Sequence, residues 1–392
     1  MSGAMSWPLL RLYLLVLLYF SANSILNVII PLQGEALGAA NTTIGLIMGA
    51  YLFTTMFFRP WAGHMIQKHG PIKVLRTILI INGIALILYT FTGLGGYFIA
   101  RMLQGVSTAF FSMALQIGII DSLPEKERSQ GISLYSLFSY IPGMIGPLLA
   151  LGIWQGGTDY FTAVMITIAV VTGVFGYSTK IDKTEAQPDT NHPRPGGRMF
   201  SSFRQLVQNP FLFKCSVLML TASVVFGATA TFIPLYAAHL KSGNAGIFLM
   251  IQAGTVVFAR FALKSKIPSD GKWHSFFMMG TMLILTAAAQ CVSFSITGGA
   301  FFFYSGAILM GTAQALLYPT LTTYLTFVLP QANRNVLLGL FIAMADLGVS
   351  LGGVIMGPIA DFSSYSFMYM ICAILGMTMI IFAYDRRKLF VG

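Results

Sequence analysis

Long apolar runs separated by short polar breaks fill this chain of 392 residues. A helix needs about 20 apolar residues to cross the hydrocarbon core of a bilayer, and twelve runs are long enough. They lie at roughly 9–31, 43–62, 74–92, 97–120, 131–152, 160–179, 212–236, 245–263, 274–295, 300–327, 336–359 and 366–384. The pattern predicts an all-α membrane protein of twelve transmembrane helices. Near the start, Arg11 followed by LYLLVLLYF and the small-residue SAN has the look of a secretory signal. The apolar run continues through ILNVIIPL to Leu32, however, which is too long for a signal core and predicts a first spanning helix.

Composition agrees: 56% of residues are hydrophobic and 9% charged, against about 25% charged in a soluble domain. Lys and Arg favour cytoplasmic loops and helix ends. With the N-terminus inside, only Arg101 and Lys241 of the 23 basic residues depart from that rule, which predicts cytoplasmic N- and C-termini. Topology and contact with anionic headgroups then account for the net charge of +11, leaving little to support nucleic-acid binding. Cys215, Cys291 and Cys372 are isolated within predicted spans, with no CxxC, and read as small apolar packing residues.

The longest polar stretch, 180–208, is rich in Pro, Gly and charge and reads as a cytoplasmic linker. It divides an N-terminal six-helix half, 1–179, from a C-terminal one, 209–392. The halves repeat each other. IPL at 30–32 is followed by Leu37 and Asn41, and IPL at 233–235 by Leu240 and Asn244 at the same spacing. Arg59 precedes Gly70 as Arg260 precedes Gly271, and LPEKER ending at Arg128 matches LPQANR ending at Arg334. Gly105 and Gly311 share that last offset. Duplicated helical halves are a recurring transporter design, with the solute site near the midplane between them.

The loop GHMIQKHGPIK at 63–73 carries Gly63, Lys68, Gly70 and Lys73; RMLQG spans 101–105 and IPGMIGP spans 141–147. On these motifs the chain resembles the major facilitator superfamily, and within it the drug:proton antiporter branch, with Gln67 standing where that family's motif has an acid. SLYSLFSYIPGMIGP, SKIPSDGKWH, LYPTLTTYLTFVLP and LLGLFIAMADLGVSLGG more narrowly resemble bacterial exporters of staphylopine-type opine metallophores. That resemblance implies a plasma-membrane secondary transporter of two pseudo-symmetric halves, with helices 1, 4, 7 and 10 lining the path. It also implies gating by the 63–70 loop, here Gly63, Lys68 and Gly70, together with Arg59 and Arg260 at inner helix ends.

A charge at the centre of a spanning helix costs about 2.5–3.5 kcal/mol on insertion scales and tends to mark a pathway. Arg101 and Asp346 are the clear cases. Helical spacing puts Arg101, Thr108, Ser112 and Gln116 on one face, Tyr19, Asn23 and Asn27 on another, and Gln314, Tyr318 and Thr322 on a third. Such stripes either line a wet cavity or glue helices together. Arg101 either snorkels to the outer interface or offers a planar fork to a carboxylate. One Arg and one Asp suit a small zwitterionic, carboxylate-bearing solute, although 32 Phe and 16 Tyr also suit a multidrug pocket. Asp346, near mid-membrane, can couple transport to protons if its surroundings alternate between lipid-like and wet; otherwise it is a structural hydrogen-bonding group. No HExxH, enzyme constellation or metal set appears, no cofactor is implied, and GxxxxGK[ST] is absent, so direct use of ATP is not expected.

Overall fold

A computed structural model describes residues 5–124, 127–179, 206–263, 266–268, 270–331 and 334–384. Of the 180–208 linker, residues 180–205 lie outside them. Among the described residues there is no strand. The same residues contain twelve helices long and apolar enough to cross a membrane, and each overlaps one of the expected runs.

They are α1 (Trp7–Ala36), α2 (Asn41–His69), α3 (Pro71–Phe91), α4 (Leu94–Asp121), α5 (Gln130–Gln155), α6 (Gly157–Ser178), α7 (Pro210–Ala238), α8 (Ala245–Ala262), α9 (Ser275–Ser293), α10 (Ser295–Val328), α11 (Arg334–Phe362) and α12 (Tyr365–Ala383). A single helical run, Arg128–Ser178, is broken into α5 and α6 at Gly157. There φ is 84°, a left-handed conformation that glycine adopts without steric cost. Other ends carry side-chain caps. The Asn209 oxygen accepts from Phe211 and Leu212 N–H ahead of Pro210, that of Asn244 from Ile247, and that of Ser364 from Phe367. Each satisfies an N–H that the first helical turn would otherwise leave open.

Packing divides the chain into two compact units: Met1–Ile30 with Ala50–Gly196, and Pro31–Gly49 with Gly197–Gly392. The end of α1 and the start of α2 therefore pack with helices of the C-terminal sequence half. In the first unit Tyr13, Val16, Leu75, Phe111 and Leu115 are buried in one core. Gly146 of the IPGMIGP motif lies against Ser24, whose hydroxyl donates to the Pro142 carbonyl at 2.7 Å.

In the second unit α11 uses small residues on two faces. Gly348 and Gly352 press against the α7 backbone at Leu220 and Val224, while Gly353 and Gly357 press against α2 at Gly45 and Asn41. Without a hydrophobic drive between lipid-immersed helices, close backbone approach through small residues holds such pairs together. That is why the GVSLGG stretch is so poor in large side chains.

The internal repeat survives in three dimensions. A Cβ on Gly105 of α4 would strike the Tyr51 carbonyl and Thr54 of α2; one on Gly311 of α10 would strike the Gln252 carbonyl and Thr255 of α8. Tyr51/Gln252 and Thr54/Thr255 share the offset of the Arg59/Arg260 pair. Gly70 and Gly271, likewise matched, both have positive φ, 83° and 72°.

Candidate functional site

The polar stripes of α1 and α4 meet on Arg101, whose side chain is wholly buried at 0% exposure; it does not reach an interface. Its Nη1 donates to Asn23 Oδ1 at 2.8 Å and to Gln104 Oε1 at 3.2 Å, and its Nη2 donates to Asn27 Oδ1 at 2.7 Å. Asn23 and Asn27 sit one turn apart on α1 and take one terminal nitrogen each, which sets the plane of the guanidinium. The Tyr51 ring of α2 lies 5.3 Å from its central carbon, within cation–π range.

Two turns along α4, Thr108 Oγ1 contacts both the Tyr19 hydroxyl and the Tyr51 hydroxyl at 3.0 Å. Tyr19 stacks on Phe111 with ring centroids 3.7 Å apart, and the Tyr89 hydroxyl of α3 donates to Gln104 at 3.1 Å. Tyr19, Asn23, Asn27, Arg101 and Thr108 thus share one network. Gln104, Tyr51, Tyr89 and Phe111 complete it; only Gln104 had a sequence signal, as part of RMLQG. Farther along α4, Ser112 is buried and contacts the Ala109 carbonyl of its own helix, while Gln116 is exposed beside Tyr135.

The α10 residues and Asp346 belong to the second unit. Gln314 accepts from Gln252 of α8 at 3.3 Å, Tyr318 faces the Phe341 ring of α11 at 6.1 Å, and the Thr322 hydroxyl bonds back to the Tyr318 carbonyl. Asp346 is half-buried in the middle of α11. One turn on, the Ser350 hydroxyl donates to the Gly49 carbonyl at 2.8 Å, so that position packs against α2. Among the residues expected to gate, Arg59 and Arg260 are partly buried, Lys68 is exposed, and Gly63 lies close to Met113.

Sequence reasoning passed over Asp361, at the end of α11. Its Oδ1 accepts the Asn41 N–H at 2.8 Å; its Oδ2 accepts the Thr42 N–H at 2.8 Å and the Thr42 hydroxyl at 2.6 Å. The Tyr365 hydroxyl adds a bond to Asn41 Oδ1 at 2.8 Å. A carboxylate of α11 therefore caps the first turn of α2. Between α8 and α9, His274 bonds Asp270 at 2.9 Å and holds its carboxyl below the usual carboxylate range. Trp273 donates to the Ala383 carbonyl beneath the Lys214 ammonium, which anchors the 270–274 loop.

Twelve spanning helices, matched contacts in two sequence halves and a buried, amide-held cation define a polytopic membrane transporter. Residues 12–267 match the Major Facilitator Superfamily, and the chain belongs to that family. Over 390 residues it is 55% identical to the staphylopine export protein of Staphylococcus aureus (strain Mu50 / ATCC 700699), covering 99% of this chain and 98% of that one. It is 23% identical over 220 residues to multidrug resistance protein 2 of Bacillus subtilis (strain 168), covering 54% and 53% of the two chains.

Among solved structures, the nucleoside transporter NupG matches with a TM-score of 0.76 at 13% identity, covering 97% of this chain and 100% of that one. A bacterial homologue of the human lysosomal transporter Spinster matches at 0.74 and 13% identity, covering 98% and 95%. At such identities these structures speak to the fold alone.

Proposed function

We propose that the chain exports a small, carboxylate-bearing metallophore of the staphylopine type across a bacterial plasma membrane, by alternating access driven by proton entry. The observation that carries this reading is the 55% identity to a staphylopine export protein over essentially the whole chain. The Arg101 network supports it chemically. A guanidinium can give a carboxylate two parallel bonds, here by exchanging its bonds to the Asn23 and Asn27 oxygens for the solute's; a lipophilic cation would gain nothing from it. Ser112, Gln116, Gln314, Tyr318 and Thr322 extend the substrate path, and Asp346 carries the coupled proton. Arg59, Gly63, Lys68, Gly70 and Arg260 gate the cytoplasmic side, where both termini lie.

A proton entering down the membrane potential releases about 2.3 kcal/mol per 100 mV, enough for roughly a 50-fold solute gradient. ATP has no part in this scheme. The test is comparative metabolite analysis of spent medium from cells with and without the gene. Loss of one small chelator from the deletion medium is the expected result. Unchanged chelators with raised dye accumulation would replace this reading with broad-specificity multidrug efflux, which the partial match to a multidrug resistance protein keeps as the alternative.

A further inference from the structure

On the lipid-facing side of the first unit, α3 and α6 enclose a groove of about 660 Å³. Ile80, Ile84 and Ile87 form one wall and Val170 and Val174 the other, all of them exposed. Its floor contains Gly83 and Gly173. Neither glycine has a positive φ, and a Cβ added at either meets nothing within 4 Å. A helical glycine normally weakens its helix relative to alanine. Unlike Gly105 or Gly146, these two answer to no neighbouring helix; what they do is hollow the groove.

At one end stands Arg76. Its guanidinium lies 4.6 Å from the centre of the Tyr177 ring, and its Nη2 donates to the Tyr177 carbonyl at 3.2 Å. Its Nε is buried and has no hydrogen-bond partner among the described residues. Lys73 is exposed one turn earlier on α3. From Arg76 to Ile87 the groove runs about 16 Å at the helical rise, which is the depth of one leaflet of a hydrocarbon core about 30 Å thick.

We infer that this groove is a binding site for one anionic phospholipid, its acyl chain lying along Gly83 and Gly173 and its phosphate on Arg76 and Lys73. The match of depth to a leaflet, with the cations at one end only, selects a lipid over a soluble solute or a second helix. The inference uses the membrane placement of the chain and the proposed cytoplasmic side of Arg76, and is independent of which solute is carried.

The full chain, purified in detergent, is titrated with phosphatidylglycerol or phosphatidylcholine and bound lipid is counted by native mass spectrometry. The expected result is one retained phosphatidylglycerol, favoured over phosphatidylcholine by about 30-fold, the ratio that two juxtamembrane cations confer. Arg76→Gln lowers the preference to about fivefold without emptying the groove, Arg76→Gln with Lys73→Gln abolishes it, and Gly83→Leu with Gly173→Leu lowers occupancy by both lipids. Melting curves of each variant check that it is folded. Equal binding of the two lipids to the wild type, or occupancy unchanged in the double leucine variant, overturns the proposal. So does a wild-type dimer that the leucines dissociate, which would give the groove to a second copy.

Discussion

Removing the Asp361 carboxylate should loosen the first turn of α2 by an amount that the geometry sets. Three bonds are lost in Asp361→Ala, two from backbone amides and one from the Thr42 hydroxyl. Loss of an N-terminal cap costs about 0.5–2 kcal/mol, and loss of a negative charge beside a helix N-terminus about 0.3–1 kcal/mol more. Because Asp361 is exposed, solvent screening keeps the sum near 1–2 kcal/mol, or about 5- to 30-fold in an opening equilibrium. Hydrogen–deuterium exchange read on the peptide containing Asn41 and Thr42 measures that ratio directly. Asp361→Asn, which keeps one acceptor oxygen but no charge, should fall between the alanine variant and the wild type. Exchange at Asn41 and Thr42 that is as slow in Asp361→Ala as in the wild type would refute the reasoning. It would mean that the Gly353 and Gly357 packing against α2 holds the turn unaided.

Three further predictions concern transport. Arg101→Lys should weaken solute binding by tenfold or more in a detergent binding assay, since an ammonium cannot span both Asn23 and Asn27; equal affinities for wild type, Lys and Ala variants would make the guanidinium purely structural. Asp346→Asn should abolish uphill, proton-driven export while sparing downhill exchange and expression, and normal accumulation with normal pH dependence would place the proton elsewhere. Lys68→Ala, exposed and on a different helix from Arg101, should slow turnover with little change in solute affinity. An unaltered rate would leave Lys68 only its topogenic role.

The helices were legible because a lipid-crossing run must be long, and length needs no partner. Even the break at Gly299, where φ is 68°, falls next to the expected start of its span at 300. Asn23, Asn27 and Arg101 were legible because a polar group in such a run is expensive. Tyr51, Tyr89 and Phe111 were not, since an aromatic ring among apolar residues has no contrast to stand out by. Asp361 was hidden differently: an acid at a helix end is ordinary, and its partners Asn41 and Thr42 lie some 320 positions away. The GVSLGG stretch announced a close approach without saying to what. It is the packing that divides its small residues between α7 and α2.

The wholly buried Arg101 bears on how the protein is made as well as on what it does. The chain is synthesised from its N-terminus, so α1 enters the bilayer while α4 is still unmade. Asn23 and Asn27 are therefore in place, with oxygens to offer, when a helix arrives bearing a charge whose burial costs about 2.5–3.5 kcal/mol on insertion scales. Seen from the translocon, the two amides are a prepared berth. A chain lacking both would reveal the loss first in the yield of correctly inserted protein, before any solute had been offered to it.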